Sequence, residues 1–161
     1  MTGRRHPIGA AALLLVASIG ACVSRVEPAD PGSANRTDPQ VAGTLVIEQF
    51  LRAVNTADID QMAQLFGTSE APFARLYAAD QVRARMLLMA DILKHRNYEV
   101  LRMTAVPGRR GEAVTADVRM NIGAKTHDVP YTLVWSQSGR WLIECIELQV
   151  ITGTGSGAAC R

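Results

Sequence analysis

The sequence predicts an α+β fold, with helices first and then a four-stranded antiparallel sheet that they pack against on one face. Three observations carry this. Apolar residues recur every three or four positions between Asp38 and Arg96. From Tyr98 onward they recur every two. Turn clusters at 107–111, 123–125 and 138–139, all bearing glycine, then divide the alternating half into four strands.

Asp38 and Pro39 open the first helix, with Asp as N-cap and Pro at the first helical position. Val41, Leu45, Val46, Phe50, Leu51 and Val54 give it one apolar face. Asn55 and Thr56 break the run, and Thr56 or Asp58 caps a second short helix through Ile59, Met62, Leu65 and Phe66, which Gly67 ends. Residues 68–77 are ambiguous, because Pro72 forbids a continuous helix. Asp80 caps the third helix, with Val82, Met86, Leu87, Met89, Ala90 and Leu93 as its apolar positions. Lys94, His95 and Arg96 fall in its last turn, where positive charge suits the helix dipole; this accounts for His95 without catalysis. The strands are expected over 98–106, 112–121, 129–136 and 140–150. In the second, Val114, Ala116, Val118 and Met120 form the core face and Thr115, Asp117, Arg119 and Asn121 the other.

Ahead of this domain, Arg4 and Arg5 precede an uncharged run from Ile8 to Gly20, which has the length of a signal-peptide core and is too short for the roughly 20 residues of a membrane-spanning helix. Ile19, Gly20, Ala21 and Cys22 close it. The pattern resembles the lipobox of bacterial lipoproteins. The resemblance implies a lipid on the Cys22 thiol, cleavage after Ala21 and acylation of the new amino terminus. Two or more acyl chains anchor a protein stably where one does so only marginally. The expected organisation is a signal peptide over 1–21, a tether over 22–38, a domain over 39–151 and a glycine-rich tail over 152–161. The tether is rich in Pro, Gly, Ser and Asn, and its flexible reach is roughly 20 Å. The expected location is the cell envelope, on the periplasmic side of the inner or outer membrane.

The chain has 17 basic and 15 acidic residues; without Arg4 and Arg5 the basic count falls to 15, and the mature charge is zero. No cationic stripe remains to suggest nucleic acid. Arg109 and Arg110, set among Pro107, Gly108 and Gly111, read as a solvated hairpin tip. Of three cysteines, Cys145 and Cys160 remain once Cys22 is lipidated. They can form a disulfide closing a loop of about 15 residues, for about 3 kcal/mol. Alternatively, Cys145 is simply a small core residue.

The amphipathic helix through 47–54, the short helix through 58–66, and the hairpin with Tyr131, Thr132, Leu133, Val134, Trp135 and Gly139, Arg140, Trp141, Leu142, Ile143 together resemble the nuclear transport factor 2-like, cystatin-like fold. The resemblance covers residues 40–151 and implies a curved four-stranded antiparallel sheet, a cystatin-like roll, wrapping a helix with a conical cavity between them. Trp141 and Ile143 then point inward, and Val114, Val118, Met120, Trp135, Trp141 and Ile143 are the candidate cavity lining. That leaves Leu142, Ile146, Leu148 and Val150 on the outer face, apolar where a monomer is wet. Either a bulge near Glu144 flips the register, or this face is a homodimer interface.

The catalytic groups of this superfamily's enzymes cannot be placed here residue by residue. Asp117 and Arg119 share a strand face, read as outward and solvated. His127 stands in the loop before the third strand, a lone titratable group. No metal-ligand spacing, nucleophile elbow or phosphate loop is present, and no cofactor is expected. The expected function is that of a membrane-anchored lipoprotein binding a small apolar ligand or an envelope protein without catalysis. The alternatives are a small isomerase, cyclase or dehydratase, or an assembly module working through the outer sheet face.

Overall fold

A computed structural model describes residues 38–109 and 111–153. The signal segment, Cys22, the tether through Thr37, Arg110, and the tail from residue 154 with Cys160 lie outside them. The helices are α1 (Pro39–Thr56), α2 (Ile59–Leu65), α3 (Phe73–Leu76), α4 (Ala79–Leu93) and α5 (Gln149–Thr152). The strands are β1 (Tyr98–Ala105), β2 (Ala113–Ile122), β3 (Lys125–Trp135) and β4 (Trp141–Ile146), an antiparallel meander in the order β1-β2-β3-β4. The α+β layout is as expected from the sequence, with helices on the concave face.

Asp38 caps α1, its Oδ1 accepting from the Gln40 amide at 2.9 Å, and Asp58 caps α2 from the Gln61 amide at 3.0 Å. The buried face of α1 is rotated from the one expected. It runs through Gly43, Ile47, Phe50, Leu51 and Val54, while Val41 and Leu45 are 56% and 50% exposed. Gly43 lies on that buried face close to the sheet, where a Cβ would stand 2.9 Å from Met103 Sδ, the end of a flexible side chain. In α4, Val82, Met86, Ala90 and Leu93 are buried as expected and Leu87 is exposed. Asp80 lies within its first turn, and Ala78 takes the N-cap position without a side-chain bond.

Gly67 does not end α2 in a left-handed cap. Phe66 turns extended and bridges to Ile143 in parallel, with the Gly67 amide donating to the Ile143 carbonyl at 2.9 Å. A Cβ on Gly67 would lie 2.5 Å from the Ala71 carbonyl oxygen and 2.7 Å from Pro72 Cα. This glycine permits a close crossing of backbones at the free edge of β4.

Two bulges bend the sheet. One is at Leu101 in β1; the other is at Glu144, where Thr132 pairs with Cys145 and Leu133 with Ile143. The second settles the parity question on the last strand. Beyond Glu144 the register flips, so Ile146 points inward and is buried. The strand ends there, Leu148 packs on the core, and Val150 sits on α5. Leu142 does face outward but is fully buried, in register with Val134 and Ala113. Leu142, Ile146, Leu148 and Val150 therefore form no common face.

Candidate functional site

The concave face of the sheet is covered by the helices. Val114, Val118, Met120, Trp141 and Ile143 do point to it, and all five are buried. They belong to one hydrophobic core with Ile47, Phe50, Met62, Met86 and Leu93 from the helices, which occupy the space a conical cavity would need. Trp135 is half-buried at the rim, edge-on to Trp141 with ring centroids 5.7 Å apart. Two polar atoms sit within this packing. Tyr131 is fully buried, and its hydroxyl donates to Met120 Sδ at 3.3 Å. Burial pushes its pKa up, so the phenol is held neutral as a donor. Trp141 Nε1 has no hydrogen-bond partner. Among the described residues no group of His, Cys, Asp and Glu could hold a metal, and no helix is long and apolar enough to cross a membrane.

The outer face carries charge in cross-strand pairs. Asp117 and Arg119 point outward as expected, yet they do not pair with each other. Arg102 bonds Asp117 at 2.5 Å, and Arg119 bonds Asp128 at 2.8 and 3.0 Å. The Arg119 hydrogen bond holds the Asp128 carboxyl below its ordinary pKa. Such exposed pairs contribute little stability. Arg109 departs from the solvated-tip reading. Its guanidinium reaches back from the β1–β2 turn across β3 to Glu144, at 2.6 and 3.3 Å. That hydrogen bond raises the Arg109 pKa and holds the side chain charged.

Neither of the two histidines among the described residues lies where the sequence suggests. His127 belongs to β3, opposite Met120, and its Nδ1 donates to the Val150 carbonyl at 3.1 Å, strapping α5 to the strand. His95 lies past the end of α4, only 9% exposed, against Asn55 at the end of α1. Partners forty residues apart leave no mark in the local pattern, so neither this junction nor the Arg109–Glu144 pair was legible in the sequence. Cys145 is disulfide-bonded; Cys22 and Cys160, the chain's other cysteines, are outside the described residues.

The helical side offers one groove of about 350 Å³. Ile59, Ala63, Ala74, Ala79 and Val82 give it an apolar lining, with Asp60, Gln64 and Arg83 as the polar residues.

No protein-family model matches this sequence, and no curated protein matches it. Among solved structures it is similar to an NTF-2 like protein of unknown function from Silicibacter pomeroyi DSS-3. The identity is 12% over 66% of this chain and 91% of that one, with a TM-score of 0.46. It is also similar to a candidate ketosteroid isomerase from Shewanella frigidimarina NCIMB 400, at 15% identity over 65% and 92% of the two chains and a TM-score of 0.47. An NTF2-like protein of unknown function from Cytophaga hutchinsonii ATCC 33406 aligns at 15% identity over 63% and 82%, with a TM-score of 0.39. Likenesses of this strength transfer no residue role and no activity to this chain.

Proposed function

We propose that this chain is a bacterial cell-envelope lipoprotein, anchored through Cys22 on the periplasmic side of a membrane, whose α+β domain docks another envelope protein. The filled concave face carries the reading. A small apolar ligand would need the space that Phe50, Met62 and Met86 occupy, and an isomerase-like reaction would need a reachable acid or base there. The surface remains. Val41 and Leu45 on α1 and Leu88 on α4 stand in solvent, Leu88 at 63% exposure, where a partner can cover them. The lipobox and the tether of 22–38 support placement at a membrane, with the domain held just clear of it.

Two measurements test this. Metabolic labelling with palmitate should mark the protein, and Cys22→Ser should abolish the label; a Cys22→Ser chain that still carries palmitate overturns the anchor. Native mass spectrometry of the anchored protein extracted from its own cells should show the bare chain or a complex with another protein. A retained small molecule overturns the protein-docking reading.

A further inference from the structure

The junction between the C-terminal ends of α1 and α4 is built around His95, whose ring and backbone are both engaged. The Asn55 side chain makes two bonds to the backbone of His95. Its Oδ1 accepts from the His95 amide at 3.2 Å, and its Nδ2 donates to the His95 carbonyl at 3.1 Å. These bonds fix which end of the amide is oxygen, since the reversed amide would set donor against donor and acceptor against acceptor. The same Nδ2 lies 3.3 Å from His95 Nε2, so Nε2 must offer a lone pair. Nδ1 lies 2.9 Å from the Leu93 carbonyl and must carry the proton. Both ring nitrogens thereby have partners, Nδ1 as donor and Nε2 as acceptor.

We propose that this Asn55–His95 junction is an acid-released latch between α1 and α4. A second proton on Nε2 would point an N–H at the Nδ2 donor. The amide cannot turn over to receive it without breaking its two backbone bonds. The ring is too buried for water to replace the lost partner readily. The charged and titratable groups nearby do not relieve it. The β1 side presents the edge of Tyr98, centroid to centroid 5.4 Å. The α1 side brings Glu48 and Arg52 to act on the Tyr98 phenol with opposite signs. Lys94 and Arg96, the sequence neighbours, are exposed cations. His127 makes a useful contrast, because its Nδ1 donates to a carbonyl in either protonation state and its bond survives acid. The latch is a property of the domain and does not rest on the anchoring; a domain outside the cytoplasm would meet the external pH directly.

The test is amide hydrogen exchange on the full mature chain carrying Cys22→Ser, at pH 7.5 and 5.0, with intrinsic rates corrected. Protection of the His95 amide and of the last turn of α4 should fall about tenfold at the lower pH, the equivalent of one lost hydrogen bond. The amide of Val118 in β2 should keep its protection. Asn55→Asp supplies an acceptor for the protonated ring, and its pH dependence should reverse, with tighter protection in acid. His95→Gln should abolish the dependence, and His127→Gln should leave it intact. Protection at His95 that does not change with pH overturns the proposal. So does an Asn55→Asp chain that loosens in acid as the parent does, or a His95→Gln chain that keeps the fall.

Discussion

Replacing Gly67 by alanine is a single-methyl perturbation whose cost the structure sets in advance. The new Cβ would stand 2.5 Å from the Ala71 carbonyl oxygen, 2.7 Å from Pro72 Cα and 2.9 Å from Leu142 Cδ1. The first two are backbone atoms, so a rotamer change cannot relieve them. The 66–72 segment would have to shift, and with it the bridges of Phe66 to Ile143 and of Gly67 to Pro72. Overpacking of this kind costs about 3 kcal/mol, where loss of an ordinary helix-ending glycine costs about 1. Urea unfolding followed by tryptophan fluorescence should show the midpoint falling by about 2 M, at a slope near 1.5 kcal/mol/M. Adding Leu142→Ala should not restore it, because only the third contact is a side chain. Gly43→Ala is the control. Its nearest neighbour, Met103 Sδ at 2.9 Å, is the end of a flexible side chain, and the gain in helix propensity of about 1 kcal/mol offsets its displacement. A midpoint shift below about 0.5 M for Gly67→Ala would refute the close-crossing argument.

Three further outcomes follow from the same geometry. Burial raises the Tyr131 phenol above its ordinary value, so its contribution to stability is present below pH about 10 and is lost as the pH rises beyond it. Alkaline titration at 295 nm should therefore show Tyr131 ionising only with unfolding, and Tyr131→Phe should unfold at higher pH than the parent. The Arg119 hydrogen bond lowers the Asp128 carboxyl, which makes the pair favourable above the ordinary carboxylate range and lost as the pH falls through it. Arg119→Gln should return the Asp128 carbon-13 titration toward ordinary values, with thermal stability nearly unchanged at this exposed site. If Cys22 carries a lipid as proposed, Cys160 is the remaining partner for the disulfide at Cys145. Non-reducing peptide mapping should recover Cys145 joined to Cys160, and Cys160→Ser should cost about 3 kcal/mol if the loop of about 15 residues is closed as proposed.

Much of this architecture was legible along the chain, and the exceptions have a common cause. Asp38 and Asp58 cap helices because an Asp side chain reaches amides two or three residues on, a purely local matter. The inward set Val114, Ala116, Val118 and Met120 follows from the period of two. The face of α1 is not legible in the sequence because Val41 and Leu45 fit the helical period as well as Gly43 and Ile47 do. The choice was made by packing against the sheet, which buries Gly43, Ile47, Phe50, Leu51 and Val54. On the last strand, the run of alternating apolar residues continued to Val150 on paper and stopped at Ile146 in space. Glu144, bonded to Arg109 from a distant turn, takes up the extra residue there.

The sequence by itself determined the layer order, the strand count and the apolar face of the sheet, because caps, periodicity and turn chemistry act over a few residues. Only the tertiary structure decided that the concave face is filled and that a bulge removes the outer apolar face. It alone also brought the ring and backbone of His95 against the Asn55 side chain. Each of these depends on volumes and hydrogen-bond partners brought together from remote parts of the chain, which no local pattern encodes.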